Sequence, residues 1–330
     1  LPPNGSHALL HDFKEIAMSE PHDIDGVLIQ WGDRLFYPGN RIVKTKPQPK
    51  LSVLAARQRA AMIRERIEAT VVRRAPQVMV KVTGGGRGMR AIAAHFHYIS
   101  KNGRLEMEDE RGQTMRGKDA LRELADDWRY GGSLIDDTSN RREAFNIMLS
   151  MPRGTDPASV QWAAREFARA ELADHKFVMV LHDHQANPHV HISVRAESKD
   201  GRRLNPRKTD LHRWRETFAA KLRERGIEAE ATRQATRGNS RNYDPLWRTK
   251  AREDRRLQTV RSSAKSGHRS KVTRAQAVEA WTKIGKALAT SGDTTDRSLA
   301  RSIERFVQSL PYSRSTVEPN QGRRDMEPRR

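Results

Sequence analysis

Twenty consecutive residues limit what this chain can fold into. Lys176–Arg195 reads K-F-V-M-V-L-H-D-H-Q-A-N-P-H-V-H-I-S-V-R. An apolar, β-branched-rich run gives way to a polar turn ending at Pro188 and then to a second, alternating run, which is how two antiparallel strands read. Residues two apart on a strand face the same side, so His189 and His191 present both imidazoles together while Val190 faces away. His182 closes the first strand and brings a third imidazole to the same spot. Three neutral imidazoles leave one face of a divalent cation open for a substrate oxygen. The chain has no cysteine, which excludes disulfides and thiolate metal sites.

The elements around this pair alternate. Gln77–Val82 reads as a strand, Thr83–Gly88 as a sharply bent loop and Met89–Ser100 as a helix stopped by Asn102-Gly103. Arg104–Glu108 and Phe145–Met151 read as further strands. Leu121–Trp128, Pro157–Leu172 and Leu211–Arg225 read as helices. A hairpin cannot belong to an all-parallel sheet, so the expected class is α+β: an antiparallel sheet with helices packed mainly on one face. Upstream, Val27–Tyr37 has strand character around Gly32-Asp33 and is expected to form a small hairpin, and Lys44–Lys50 reads as a linker. Leu51–Arg74 is helical, with Leu51, Leu54, Met62, Ile63, Ile67 and Val71 as a stripe expected to dock on the domain that follows. Met18-Ser19-Glu20 looks like a natural opening, so residues 1–17 are expected to be a leader or non-native residues.

A net charge of +21 over 330 residues calls for a polyanionic partner, nucleic acid before an anionic membrane. No run of about 18 apolar residues and no signal-peptide pattern occurs, so a soluble, intracellular protein without membrane insertion is expected. From Arg233 to Arg274 basic residues run almost unopposed, the pattern of a solvated segment that neutralises phosphates. Ala275–Thr290 and Asp296–Leu310 read as a helical pair, and the tail after Pro311 as polar and disordered.

A histidine-held metal that polarises a phosphate still needs a nucleophile, and without cysteine the choice is water, serine or tyrosine. Tyr98, on the Met89–Ser100 helix and on a face shared with Ala91 and Ala94, is one candidate. Packing against those alanines is the competing reading. A phenol, with a pKa of about 10, leaves phosphorus more readily than a sugar hydroxyl, so an aryl phosphodiester stores the energy to rejoin a cut strand. Gly86, Gly88 and Ala91 match a weak dinucleotide fingerprint. Lys81, Arg87 and Arg90 around that loop suit a nucleic-acid backbone better.

Three motifs in order then resemble the relaxase domain of conjugative plasmids and integrative conjugative elements, in the MOBP class. They are Y-I-S-K-N-G-R-L at Tyr98–Leu105, Ser139 ahead of the strand ending L-S-M-P-R-G at Leu149–Gly154, and H-x6-H-x-H at His182, His189 and His191. The resemblance covers residues 76–239, between an N-terminal extension (1–75) and a basic, partly helical segment (240–330). It implies an HUH endonuclease in which Tyr98 attacks one strand at an origin of transfer and becomes linked to its 5′ phosphate. His182, His189 and His191 would hold Mg²⁺ or Mn²⁺, and Ser139 would contact DNA near the nick. Arg87, Arg90, Lys101, Arg104, Arg195, Arg202, Arg203, Arg207, Lys208, Arg237 and Arg241 would hold the DNA. The chain departs from the family pattern at two points: His184, beside Asp183, stands where an aspartate is usual, and Arg195 where an asparagine is usual. The aspartate's role would pass to Asp183 or His184. The implied partners are origin DNA, single-stranded and duplex, accessory nicking proteins and a type IV coupling protein and secretion system. The implied location is the bacterial cytoplasm, with export to a recipient as a DNA–protein conjugate. Rival readings are a rolling-circle initiator of the same HUH type, a non-catalytic origin- or RNA-binding protein, and a dinucleotide-dependent enzyme.

Overall fold

The structure is a computed structural model that describes residues 22–37, 51–184, 187–238, 256 and 267–310. One antiparallel sheet of six strands lies at its centre: β1 (Met79–Gly84), β2 (Met107–Asp109), β3 (Thr114–Met115), β4 (Ala144–Ser150), β5 (His175–His182) and β6 (His189–Ser198). Their order across the sheet is β1-β4-β6-β5-β2-β3, which puts the histidine hairpin in the middle. Its register sets His182 opposite His189 and Val180 opposite His191.

Helices α3 (Met89–Ile99), α4 (Lys118–Tyr130), α5 (Pro157–Glu171) and α6 (Lys208–Glu224) flank the sheet. They cover both faces, not mainly one. The period-two alternation of the strands assigns the faces. Val190, Ile192, Val194 and Phe177 pack with Phe167 of α5 and with Trp214, Phe218 and Leu222 of α6. Val178 and Val180 pack with Ile92 and Phe96 of α3 and with Leu121 and Trp128 of α4. His182 has the parity of Val178 and Val180, while His189 and His191 have the parity opposite to Val190 and Ile192. All three histidines therefore point to the α3 face. Local signals start α5: Asp156 caps it, accepting from Ser159 N at 2.8 Å, with Pro157 in the first turn.

Four more helices form a separate core. Val27–Tyr37 is not a hairpin; His22–Phe36 is helix α1. Leu28, Leu35 and Phe36 recur at helical spacing and are buried. Gly32 is a packing residue, since a Cβ there would stand 2.6 Å from Ile63 Cγ2 of α2 (Val53–Val71). The α2 stripe does not lie on the sheet: Ile63, Ile67 and Val71 pack with α1, α7 (His268–Ala289) and α8 (Thr294–Ser309). Leu51, Leu54 and Met62 are exposed, because only the Ile63–Ile67 side faces those helices. The expected C-terminal helical pair is present, but α7 starts at His268 and takes Arg269, Lys271 and Arg274 out of the solvated run.

The bundle meets the sheet domain through polar contacts. Arg66 of α2 pairs with Glu216 of α6 at 2.9 Å and with Glu230 at 3.0 Å, and Trp281 Nε1 of α7 donates to Thr236 O at 2.9 Å. The strand expected at Arg104–Glu108 begins at Met107 instead. Arg104 and Leu105 belong to the turn that closes α3, where Leu105 N donates to Ser100 O. The leader (1–17), the linker, most of the basic run and the tail lie outside the described residues.

Candidate active site

The turn after α3 builds the site. Lys101, Asn102 and Gly103 all have positive φ (52°, 58° and 79°). Ser100 Oγ accepts from Gly103 N and donates to Phe96 O, fixing this reversal. The reversal leaves Ile99 O pointing at the sheet, where His182 Nε2 donates to it at 2.7 Å. His182 Nδ1 then carries the lone pair, and it is buried without a hydrogen-bond partner. His189 Nδ1 donates to Asn187 O at 2.9 Å and leaves its Nε2 as the lone-pair atom. His191 Nδ1 is likewise buried and unpartnered.

The three rings lie 4.7–5.0 Å apart between centroids, and one nitrogen of each falls within 4.8 Å of the others. Burial, reinforced by the neighbouring imidazoles, pushes His182 down to about 4 and His191 to about 3, and burial also lowers His189. All three are neutral at pH 7. Converging neutral imidazoles, two of them with tautomers set by backbone carbonyls, fit a divalent metal.

Tyr98, in the last turn of α3, is 60% exposed. Its ring centroid lies 6.4 Å from that of His191, edge-on at 80°. It does not pack against Ala91 and Ala94, since that helix face is open and both alanines are exposed. His95 was not singled out in the sequence, although it precedes Tyr98 by three residues and so shares its helix face. Its ring stacks on Tyr98 at 28° and 6.0 Å and meets His191 at 6.4 Å. Its Nε2 is buried and unpartnered, and burial holds it near pKa 4. His184 is exposed with its ring 5.1 Å from His182, and Asp183 beside it is exposed too.

Other sequence candidates lie elsewhere. Ser139 sits by the N-terminal end of α3, where Asp136 O and Asp137 O accept from Met89 N and Arg90 N. That is roughly 13 Å along the helix axis from Tyr98. Ser139 donates to Glu143 at 3.0 Å. Against the effect of burial, Arg141, Arg203 and Ser139 hold Glu143 below the usual carboxylate range.

In the glycine loop Gly86 N is bonded to Ala144 O, and Met89 N and Arg90 N just after it are bonded to Asp136 O and Asp137 O. Its glycines also serve close approach, as at Gly88 (φ +90°), where any Cβ would collide with the Asp137 backbone.

Arg195 is not at the surface. It is 3% exposed and donates to Trp128 O at 2.6 Å and to Ser133 O, holding the end of α4. Arg203 is bonded to Glu143 and Arg142 O, and Arg237 to Thr232, so both are tied into the fold. Arg87, Arg90, Lys101, Arg104, Arg202, Arg207 and Lys208 are exposed, and Arg241 lies outside the described residues.

Residues 98–227 match the family model of the relaxases, described as the MobA/VirD2-like nuclease domain. This segment is a relaxase nuclease domain. The match starts at Tyr98 and includes all three histidines. Among curated relatives, T-DNA border endonuclease VirD2 of Rhizobium radiobacter is 26% identical over 182 residues, 49% of this chain and 43% of that protein. VirD2 of Agrobacterium fabrum is 26% identical over 207 residues, 54% of this chain and 46% of its own length. The chain thus spans less than half the length of these relatives. No helix among the described residues is long and apolar enough to cross a membrane.

Proposed function

We propose that this chain nicks one strand of DNA at an origin of transfer, by transesterification through Tyr98, for the conjugative transfer of a plasmid or integrative element. The observation that carries the reading is the exposed Tyr98 phenol beside a buried, neutral three-histidine cluster. The phenol oxygen attacks phosphorus, the P–O3′ bond breaks, and Tyr98 is left esterified to the 5′ phosphate. The phenol gives up its proton and the departing 3′ oxygen gains one, so neither water nor ATP is consumed. A rejoining strand reverses the same step.

His182, His189 and His191 would hold Mg²⁺ or Mn²⁺, which when bound withdraws charge from the phosphate oxygens. His95 keeps the phenol ring over the cluster by stacking. Lys101 and Arg104, directly after Tyr98 and exposed, position the strand at the reacting centre, while the exposed Arg87 and Arg90 at the start of α3, and Arg202, Arg207 and Lys208 beyond the far end of β6, hold DNA away from it. Asp183 or His184 takes the aspartate's role beside His182, receiving the phenol proton or orienting the ring. Ser139 stands outside the reacting centre. The partners that follow are accessory nicking proteins at the origin and a type IV coupling protein, with export of the conjugate from a bacterial cytoplasm. A rolling-circle initiator generally carries its tyrosine after the histidine pair, whereas Tyr98 precedes it.

The test is a labelled single-stranded oligonucleotide carrying the element's own origin, incubated with and without Mn²⁺ and run on a denaturing gel. The expected result is a label that moves to protein mass, requires metal, and disappears in Tyr98→Phe. A free label with retained native binding would make the chain a DNA-binding protein only.

A further inference from the structure

The start of α3, at the opposite end of the helix from Tyr98, is tied to the end of α4 through one residue. Asp137 O accepts from Arg90 N at 3.2 Å, and the Asp137 carboxylate accepts from Arg129 Nη2 at 2.5 Å, one residue before α4 ends at Tyr130. The chain leaves α4 through Tyr130-Gly131-Gly132-Ser133-Leu134. Ile135 N donates to Arg129 O at 3.2 Å and Ser133 Oγ to Glu197 at 2.6 Å, so this tip is anchored at its base and its middle. Tyr130 is nevertheless 68% exposed and Leu134 60%. One exposed apolar side chain is ordinary. Here two share a five-residue tip, at the same end of the domain as Arg87 and Arg90, which are exposed and form no ion pair among the described residues. An open aromatic face and unpaired cations are what hold single-stranded nucleic acid without regard to its sequence.

The sheet connects this end to the histidines. Met148 of β4 lies opposite His191, and Lys81 of β1 opposite Met148, so all three share the α3 face. Lys81 is exposed and Met148 and Asn146 are partly exposed, and none of them belongs to the core beneath α3. Four residues before Met148, β4 begins at Ala144, whose carbonyl accepts from Gly86 N just ahead of α3. A strand that leaves the histidines along β4 therefore arrives at Arg87 and Arg90. Along α3, Arg90 lies about 12 Å from Tyr98, roughly three to four nucleotides of a stacked strand.

We propose that the start of α3 and the 130–134 tip form a second contact for the single strand that Tyr98 attacks. Arg87 and Arg90 hold backbone phosphates, and Tyr130, with Leu134 on the same tip, stacks on a base three or more nucleotides from the attacked phosphate. The site rests on the nicking reading for its position on the DNA, not for its affinity.

The experiment uses the full chain and the element's own origin strand, carrying 5-iodouracil at one position at a time, irradiated without metal and digested for mass spectrometry. The expected cross-link joins Tyr130 to a base at least three nucleotides from the nick and is lost in Tyr130→Ala. No cross-link to the 130–134 tip from any position would overturn the proposal, and this readout needs no variant to fold.

A labelled single strand of arbitrary sequence, followed by fluorescence anisotropy over a salt series, measures the site without nicking. Tyr130→Ala should weaken binding at least about fivefold with an unchanged slope of log affinity against log salt, because stacking releases no counterion. Arg87→Gln and Arg90→Gln should each lower that slope by about 0.7. Three variants that match the wild type, or losses that fall equally on a blunt duplex, would overturn the site. Adduct formation on the origin strand is scored separately. These losses without an adduct keep the site and remove the nicking reading; an adduct without these losses keeps nicking and removes the site.

Discussion

Arg195→Met puts the sequence reading and the structure in direct opposition. Read from the sequence, Arg195 holds DNA; in the fold it is 3% exposed and bonded to Trp128 O and Ser133 O. Methionine fills much of the same volume but donates nothing. Each hydrogen bond from a charged donor is worth about 1.5–3 kcal/mol, and a buried carbonyl left without a partner costs about 1–3 kcal/mol. Ser133 is exposed, so water can replace the arginine there, and the larger loss falls at Trp128 O, whose residue is fully buried. Burial also lowers the pKa of Arg195, so the native state carries a desolvation cost that methionine removes. The balance is a loss of about 2–4 kcal/mol. Urea unfolding should show a lower midpoint at unchanged slope, with DNA affinity unaltered once the folded fraction is taken into account. A loss under about 0.5 kcal/mol, or weakened DNA binding at unchanged stability, would refute the burial argument.

Removing His191 by substitution to alanine should abolish Mn²⁺ binding by calorimetry without unfolding the chain. Because His182 and His191 titrate near 4 and 3 when folded and near 6.5 when unfolded, Mn²⁺ affinity should hold down to about pH 5, and a loss centred on 6.5 would contradict the depressed values. The same linkage predicts that metal-free stability is complete above 6.5, where neither state is protonated at these rings. It is lost as pH falls from there through about 4 for His182 and about 3 for His191, because the unfolded chain binds these protons first. Arg66→Ala removes the nearest cation from Glu216 and from Glu230, which keeps the 3.9 Å approach of Arg223, and should cost about 3 kcal/mol, part of which returns in the double variant with Glu230→Gln. His95→Ala should slow adduct formation about tenfold with Mn²⁺ binding intact, whereas His95→Phe, which keeps the stack, should restore most of the rate. An unchanged rate in the alanine variant would remove His95 from the mechanism.

What could be read in advance followed the strength of local periodicity. The β5–β6 hairpin was legible because alternation over twenty residues fixes both its pairing and the common side of its histidines. The start of α5 was legible because Asp156-Pro157 is a cap with a local mechanism. Gly32 misled, since a glycine between apolar runs reads as a turn, and only the neighbouring Ile63 shows that it lets two helices close. Tyr98 beside Ala91 and Ala94 left packing and exposure undecided, because both produce the same small-residue face. Arg195 could not be read, because its partners are two backbone carbonyls whose position depends on how α4 ends. His95 left a signal, the i, i+3 relation to Tyr98, which says that two rings can meet but not that they do.

The helical bundle also has a consequence in time. Its first two helices, α1 and α2, find their apolar partners α7 and α8 only after about 200 further residues have been made. At about 5–20 residues per second, Ile63, Ile67 and Leu28 wait roughly 10–40 seconds on the ribosome with only each other's helix to cover them. The relaxase domain can complete its sheet within that interval, so the bundle closes last, around a domain already in place.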